Sequence, residues 1–440
     1  MAFSKLGLSA PLVRAVADLN FTEPTPIQAA VIPAILRGQD VLASAVTGSG
    51  KTAAFLLPIL QVLASSRGRT AAKVRTLIIV PTRELAAQIA EGIRNFGCRL
   101  NEPLKTCLVI GGVSINPQMM ALRGGADLVV ATPGRLLDLV GQNALRLSAV
   151  EILVLDEADR LLALGFAEEL SKIVSMLPPR RQNLLFSATF PAPVAALAEQ
   201  LLHDPVRANL DAGAAPNAAV IQQRAIEIDA GRRTMLLRHL IETHAWSAAL
   251  VFVATKYGAD HVAMKLDRAG ISARSLHGEL SQGARTQSLA DLKAGRIQVL
   301  VATDVAARGI DIAELPVVVN YDLPRSAADY VHRIGRTGRA GETGVAISFI
   351  SAETDAHFRL IEKKNRIAIE REQIAGFEPV DMAVPPRDPN GGVKGKGRSK
   401  KDKLREAAAR AAGGVVAPKS AELSGPLFPW TPPSARSRNG

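Results

Sequence analysis

Three clusters in this 440-residue chain combine residue types that do chemistry together. The first is Ala45, Val46, Thr47, Gly48, Ser49, Gly50, Lys51 and Thr52, which fits a phosphate-binding loop with Ala45 in place of the first glycine. Gly48 and Gly50 let the backbone wrap so that N–H groups point at phosphate oxygens. A helix starting near Gly50 adds its positive end. Lys51 is placed to neutralise β- and γ-phosphates, and Thr52 to ligate Mg²⁺. The second cluster is Asp156, Glu157, Ala158 and Asp159, at the end of the apolar run Ile152–Leu155. Asp156 suits the strand-end carboxylate that phosphoryl transfer needs for Mg²⁺, and Glu157 the group that orients or deprotonates water. Alone, this acidic run fits a solvated helix start equally well; the phosphate loop upstream favours the catalytic reading. The third cluster runs from His332 to Arg339, HRIGRTGR. There Arg336 and Arg339 could reach a γ-phosphate across a cleft, as arginine fingers do, for about 10³–10⁵ in rate.

These groups need a scaffold that delivers strand ends to one place. Short apolar runs alternate with helical patterns: Asp40–Ser44, Leu77–Val80, Leu128–Ala131, Ile152–Leu155 and Leu184–Ser187, then Ala249–Val253, Val299–Ala302, Val317–Tyr321 and Val345–Phe349. Runs of this kind suit strands buried on both faces, and Glu84–Phe96 and Glu168–Met176 between them have helical spacing. Strand–helix alternation predicts two α/β domains with parallel sheets. The small residues of Ala212–Ala219 read as a linker between them. The expected organisation is residues 1–29 as an entry segment, 30–210 and 223–380 as domains, 211–222 as linker, and 381–440 as a disordered basic tail.

Composition excludes several classes. Two cysteines, Cys98 and Cys107, rule out a disulfide scaffold and a four-cysteine metal site, and both are expected to be buried small apolar residues. No apolar run approaches the ~20 residues that span a bilayer, and the first residues lack a signal-peptide core. A soluble cytoplasmic protein is the expectation. The net charge of +12 is uneven: residues 391–440 hold eleven basic and three acidic residues, leaving residues 1–390 at only +4. The tail is expected to tether nucleic acid by charge, against the plainer alternative of a solubilising extension. Leu427–Pro433 reads as a docking motif or as ordinary disordered sequence.

The order of these motifs resembles the DEAD-box RNA helicases of superfamily 2, and Asp156–Asp159 spell the name. The likeness covers residues 1 to about 380 and implies two tandem RecA-like domains, ATP and Mg²⁺ as cofactors, and RNA as partner. By resemblance, Phe3, Phe21 and Gln28 (within FTEPTPIQ for the last two) read adenine, and Asp311 meets the ribose. Lys51, Asp156, Glu157, His332, Arg336 and Arg339 carry catalysis, while Ser187, Ala188 and Thr189 couple it to strand separation. RNA contacts are implied at Pro81, Arg83, Gly111, Gly112, Thr132, Pro133, Gly134, Arg135, Gln282, Arg285, Thr303, Arg308 and Gly309. Seventeen aromatic residues leave little for base stacking, so sequence-independent backbone binding is expected. Ile361–Pro379 resembles the bacterial RhlE-type subgroup. A DNA helicase and a non-unwinding RNA clamp stand as the rival readings.

Overall fold

A computed structural model describes residues 2–44, 49–65, 73–209, 221–307, 315–338 and 343–380. Ala45, Val46, Thr47, Gly48, Arg308, Gly309, Asp311, Arg339, most of the expected linker and the whole tail with Leu427–Pro433 lie outside the described residues.

Among the described residues, fourteen strands form two seven-stranded parallel sheets. The first comprises β1 Val41–Ser44, β2 Thr76–Ile79, β3 Thr106–Val109, β4 Leu128–Ala131, β5 Ile152–Leu155, β6 Gln182–Ser187 and β7 Val206–Asn209, in the order β3-β4-β2-β5-β6-β1-β7. The second comprises β8 Ile221–Glu227, β9 Ala249–Val253, β10 Ala273–Leu276, β11 Val299–Thr303, β12 Val317–Asn320, β13 Gly344–Ile350 and β14 Arg371–Glu372, in the order β10-β11-β9-β12-β13-β8-β14. The two predicted α/β halves and their parallel sheets are therefore present. The apolar runs became interior strands: β2, β4, β5, β9 and β12 are buried at every position. Edge strands β3, with alternating burial, and β10 escape a search for continuous runs. So does β8, which carries Gln222, Gln223 and Arg224 and begins at the buried Ile221, inside the segment expected to be linker.

Each sheet is covered on both faces. One face of the first packs Phe3, Leu12, Ile27, Phe55 and Phe186, so the entry segment belongs to this lobe's core. The other face packs Leu77, Leu136, Leu153 and Leu185. In the second lobe, Val251, Leu237 and Leu266 cover one face, and Phe252, Leu292 and Leu300 the other. Cys107 is buried as expected, but Cys98 is exposed, because it follows helix Arg83–Gly97 and leaves the core with the chain.

Because every strand runs the same way, the segments after β1, β2, β4, β5 and β6 emerge on one edge, where α/β sheets bind ligands. The neighbours β5, β6 and β1 set side by side the acidic box, Ser187 and the strand that precedes the phosphate-loop sequence. Asp40 anchors the start of β1: Oδ1 accepts from Asn183 N at 2.7 Å, and Oδ2 from His203 N at 2.9 Å and Asn183 Nδ2 at 3.3 Å. Asp40→Ala strands these buried donors and should cost about 3 kcal/mol. Urea unfolding reads this, and an unchanged midpoint would contradict it.

Candidate nucleotide site and nucleic-acid face

Lys51 opens helix Lys51–Ser65 directly after Gly50, whose φ of +91° only glycine adopts freely. A Cβ there would lie 2.5 Å from Gln28 Nε2 and 2.9 Å from Thr25 Oγ1. The contact is so close because helix Pro26–Leu36 presses its first turn on the loop. Its capping box ties Thr25 N to Gln28 Oε1 at 2.9 Å, and Gln28 Nε2 donates to Gly50 O at 3.2 Å. Gln28 is fully buried, so the expected adenine reader is held by the phosphate loop in this arrangement. Phe3, also expected to read adenine, is buried in the core of the first lobe. Phe21 is 39% exposed, tilted against Phe96 at 6.0 Å. The Lys51 ammonium is buried without a hydrogen-bond partner among the described residues. A buried ammonium with no hydrogen bond is costly, and it fits a site made for a polyanion.

Asp156 and Glu157 are buried beside it. Burial pushes the Asp156 carboxyl up to about 6; Glu157 and Asp159 add to this, and the Lys51 ammonium and the 2.9 Å hydrogen bond from Glu157 N oppose it. Glu157 sits at φ 50°, ψ 51°, a left-handed conformation that costs an L-residue about 1 kcal/mol or more, and it caps helix Ala158–Ala163. Asp159 joins the expected coupling motif: Thr189 Oγ1 donates to its Oδ2 at 2.7 Å, and its N–H donates to Ser187 Oγ at 3.3 Å. Ser187 Oγ in turn donates to Thr189 O at 2.7 Å, with Ala188 between them.

His332 and Arg336 follow in and just after helix Ala327–Ile334 of the second lobe. Arg160 and Glu84 tie the first lobe to this one, and Arg333 orders the second lobe from within. Arg160 of the first lobe donates from Nη1 to Asp329 Oδ1 at 2.7 Å, and its Nη2 meets His332 Nδ1. Glu84 Oε1 accepts from Gln282 Nε2 at 3.0 Å and Arg285 Nη2 at 2.8 Å. Gln282 and Arg285 were expected on RNA; here they face Glu84, and Arg285 is buried, leaving little charge for a phosphate. Arg333 grips Asp304 with two bonds of 2.6 and 2.7 Å and lies 4.8 Å over the Phe252 ring, fixing the segment that follows Thr303 at the end of β11.

On the first lobe, the motifs after β2, β3 and β4 converge. Arg83 lies across Gly112, where φ is +74° and a Cβ would meet its guanidinium. Arg135 donates from both terminal nitrogens to Val113 O at 3.0 Å. Gly112 and Gly134 are exposed, Gly111 and Thr132 partly so. Pro81 and Pro133, also expected on RNA, are buried.

A family model described as DEAD/DEAH box helicase matches residues 25–197, and one described as helicase conserved C-terminal domain matches residues 232–341. The chain is 40% identical over 371 residues to the DEAD-box ATP-dependent RNA helicase CshA of Geobacillus kaustophilus, spanning 84% of this chain and 78% of that one. It is 41% identical over 379 residues to the ATP-dependent RNA helicase DeaD of Mycobacterium tuberculosis, spanning 86% and 66%. The chain belongs to the DEAD-box ATP-dependent RNA helicase family. Among solved DEAD-box structures, S. cerevisiae Dbp5 bound to RNA and ADP BeF3 is 31% identical with a TM-score of 0.76, over 86% of this chain and 96% of that one. Mss116 bound to ssRNA and UDP-BeF is 28% identical with a TM-score of 0.77, over 84% and 79%.

In this DEAD-box chain, burial and then the Arg160 and Arg336 guanidiniums push His332 down to about 3, while Asp159 and Asp329 oppose them. Its folded pKa lies below its unfolded value, so the folded state binds fewer protons. Stability is full above the ordinary histidine range and is lost as pH falls through 6.5 towards 3. At pH about 5.5 the loss is about 1 kcal/mol. Asp156 shifts the other way, so thermal unfolding of the parent and His332→Gln, compared from pH about 7.5 to 5.5, isolates the histidine. The parent should lose more stability than the variant, and parallel curves would contradict this.

Proposed function

We propose that this helicase separates short RNA duplexes locally, by an ATP-driven cycle in which the two lobes close and reopen. The observation that carries the reading is the division of groups: Lys51, Asp156 and Glu157 lie on the first lobe, and His332 and Arg336 on the second. The likeness to relatives with RNA and nucleotide bound supports taking the present arrangement as the closed one. Lys51 would neutralise the β- and γ-phosphates, Phe21 and Gln28 would read adenine once Gln28 leaves Gly50, and Asp311 would meet the ribose. Glu157 would hold the attacking water and accept its proton, with Arg336 and Arg339 against the transferred phosphoryl group.

Thr52 and Asp156 supply hard oxygen donors that suit Mg²⁺. Among the described residues no group of three or more His, Cys, Asp or Glu could hold a metal. The ion would therefore be held largely through water and phosphate oxygens, where it neutralises phosphate charge. Arg83, Arg135 and the open Gly112 and Gly134 would follow an RNA backbone through charge and close approach, without reading bases. Among the described residues no helix is long and apolar enough to cross a membrane, and the cytoplasm is the proposed location. The RhlE-type likeness of Ile361–Pro379 stays a reading of the sequence, since the relatives named above are CshA and DeaD.

Glu157→Gln should slow hydrolysis about 10²–10⁴-fold while ATP and RNA still bind. ATP turnover at the parental rate would sink the assignment of the base. ATPase stimulation by RNA and by DNA of one sequence tests the substrate, and preference for DNA would overturn the RNA reading. For the tail, log affinity for single strands should fall by about 0.7 per neutralised phosphate with each log unit of salt. Removing residues 391–440 should flatten that slope, and an unchanged slope removes the tether role.

A further inference from the structure

Arg160 follows the acidic box directly and takes no part in the chemistry above. Its main chain is tied to the proposed base, because Arg160 N donates to Glu157 O at 2.9 Å. Its side chain, 9% exposed, leaves its own lobe. Nη1 reaches Asp329 Oδ1 at 2.7 Å, and Nη2 reaches His332 Nδ1. The receiving end is built: Asp329 lies in the first turn of helix Ala327–Ile334, its N–H donates to Ser326 Oγ at 3.1 Å, and its Oδ2 accepts from Ser326 Oγ at 2.9 Å.

We propose that Arg160 is a positioning residue for hydrolysis, bridging to Asp329 and His332 so that lobe closure sets the arginine-bearing helix against Glu157. The inference rests on the closure cycle proposed above. Two features single out this contact. Arginine presents donors at fixed angles, so one guanidinium serves a carboxylate and an imidazole nitrogen together, which a lysine ammonium on one axis does not. His332 accepts at Nδ1 and so carries its proton on Nε2. The bridge is therefore specific in both charge and tautomer. It also joins two motifs: Arg160 moves with Glu157 and Asp159, and Asp159 holds Thr189, while His332 moves with Arg336. The contact exists only when the lobes meet, so its free energy favours the arrangement in which base and finger face each other.

The test is steady-state ATP turnover across an RNA titration for the parent, Arg160→Lys, Arg160→Ala, Asp329→Asn and the Arg160→Ala/Asp329→Asn pair. Affinity for a fluorescent ADP analogue and thermal unfolding are measured alongside. Arg160→Ala and Asp329→Asn should each lower RNA-saturated kcat at least about tenfold while ADP affinity stays parental. Arg160→Lys, keeping charge and losing the fork, should fall between. The pair should lose little more than either single variant, as partners in one interaction do. Parental kcat in Arg160→Ala, or losses that multiply in the pair, would overturn the bridge. If Arg160→Ala unfolds, Asp329→Asn on the other lobe decides alone. A parent that RNA does not stimulate overturns the closure cycle and the bridge with it; a stimulated parent beside an equally stimulated Arg160→Ala overturns only the bridge.

Discussion

Taking charge out of water is the constraint on which this molecule turns. Lys51, Asp156 and Glu157 are all more than nine-tenths buried, and the lysine ammonium has no hydrogen-bond partner among the described residues. Desolvating such groups costs several kcal/mol each unless counter-charge arrives. The raised pKa of Asp156 is the same cost expressed on a carboxyl. A phosphate chain with Mg²⁺, as proposed above, would relieve both signs at once, anion against Lys51 and cation against Asp156. The scaffold can hold this unfavourable set because β1, β5 and β6 are adjacent, parallel and buried on both faces.

The second consequence is that the set is incomplete on one lobe. Nothing assigned in the first half places an arginine finger on the phosphates; Arg336 and Arg339 come from the second. Among the described residues, polar contacts join the halves: Arg160 with Asp329 and His332, and Glu84 with Gln282 and Arg285. A polar junction is weaker than an apolar one of the same area, since each charge gives up its water to form it. Such a junction can be made and broken within one catalytic cycle, as the proposed closure and reopening require.

Much of this was legible in the residues. Interior strands announce themselves as apolar runs because both faces are covered, and loop glycines and box carboxylates announce chemistry by type. Strands at or next to sheet edges did not, since β8 and β10 mix polar with apolar residues. Residue type also fails to say which partner a side chain meets. Gln282 and Arg285 have the chemistry of phosphate ligands yet face Glu84, and Phe3 has the chemistry of a base platform yet fills the core. Arg160 gave no signal, because one arginine after an acidic run looks like any surface residue until its partner 169 positions later is placed.

The central claim is that ATP and RNA together bring the lobes into the arrangement seen here. Fluorescence energy transfer between a dye on the exposed Cys98 and one on Met235→Cys, an exposed second-lobe position, measures it directly, because Cys107 is buried. A high-transfer population should form with a non-hydrolysable ATP analogue and RNA together, be largely absent with either alone, and be lost in Lys51→Ala. Transfer that is the same under all four conditions would contradict the account.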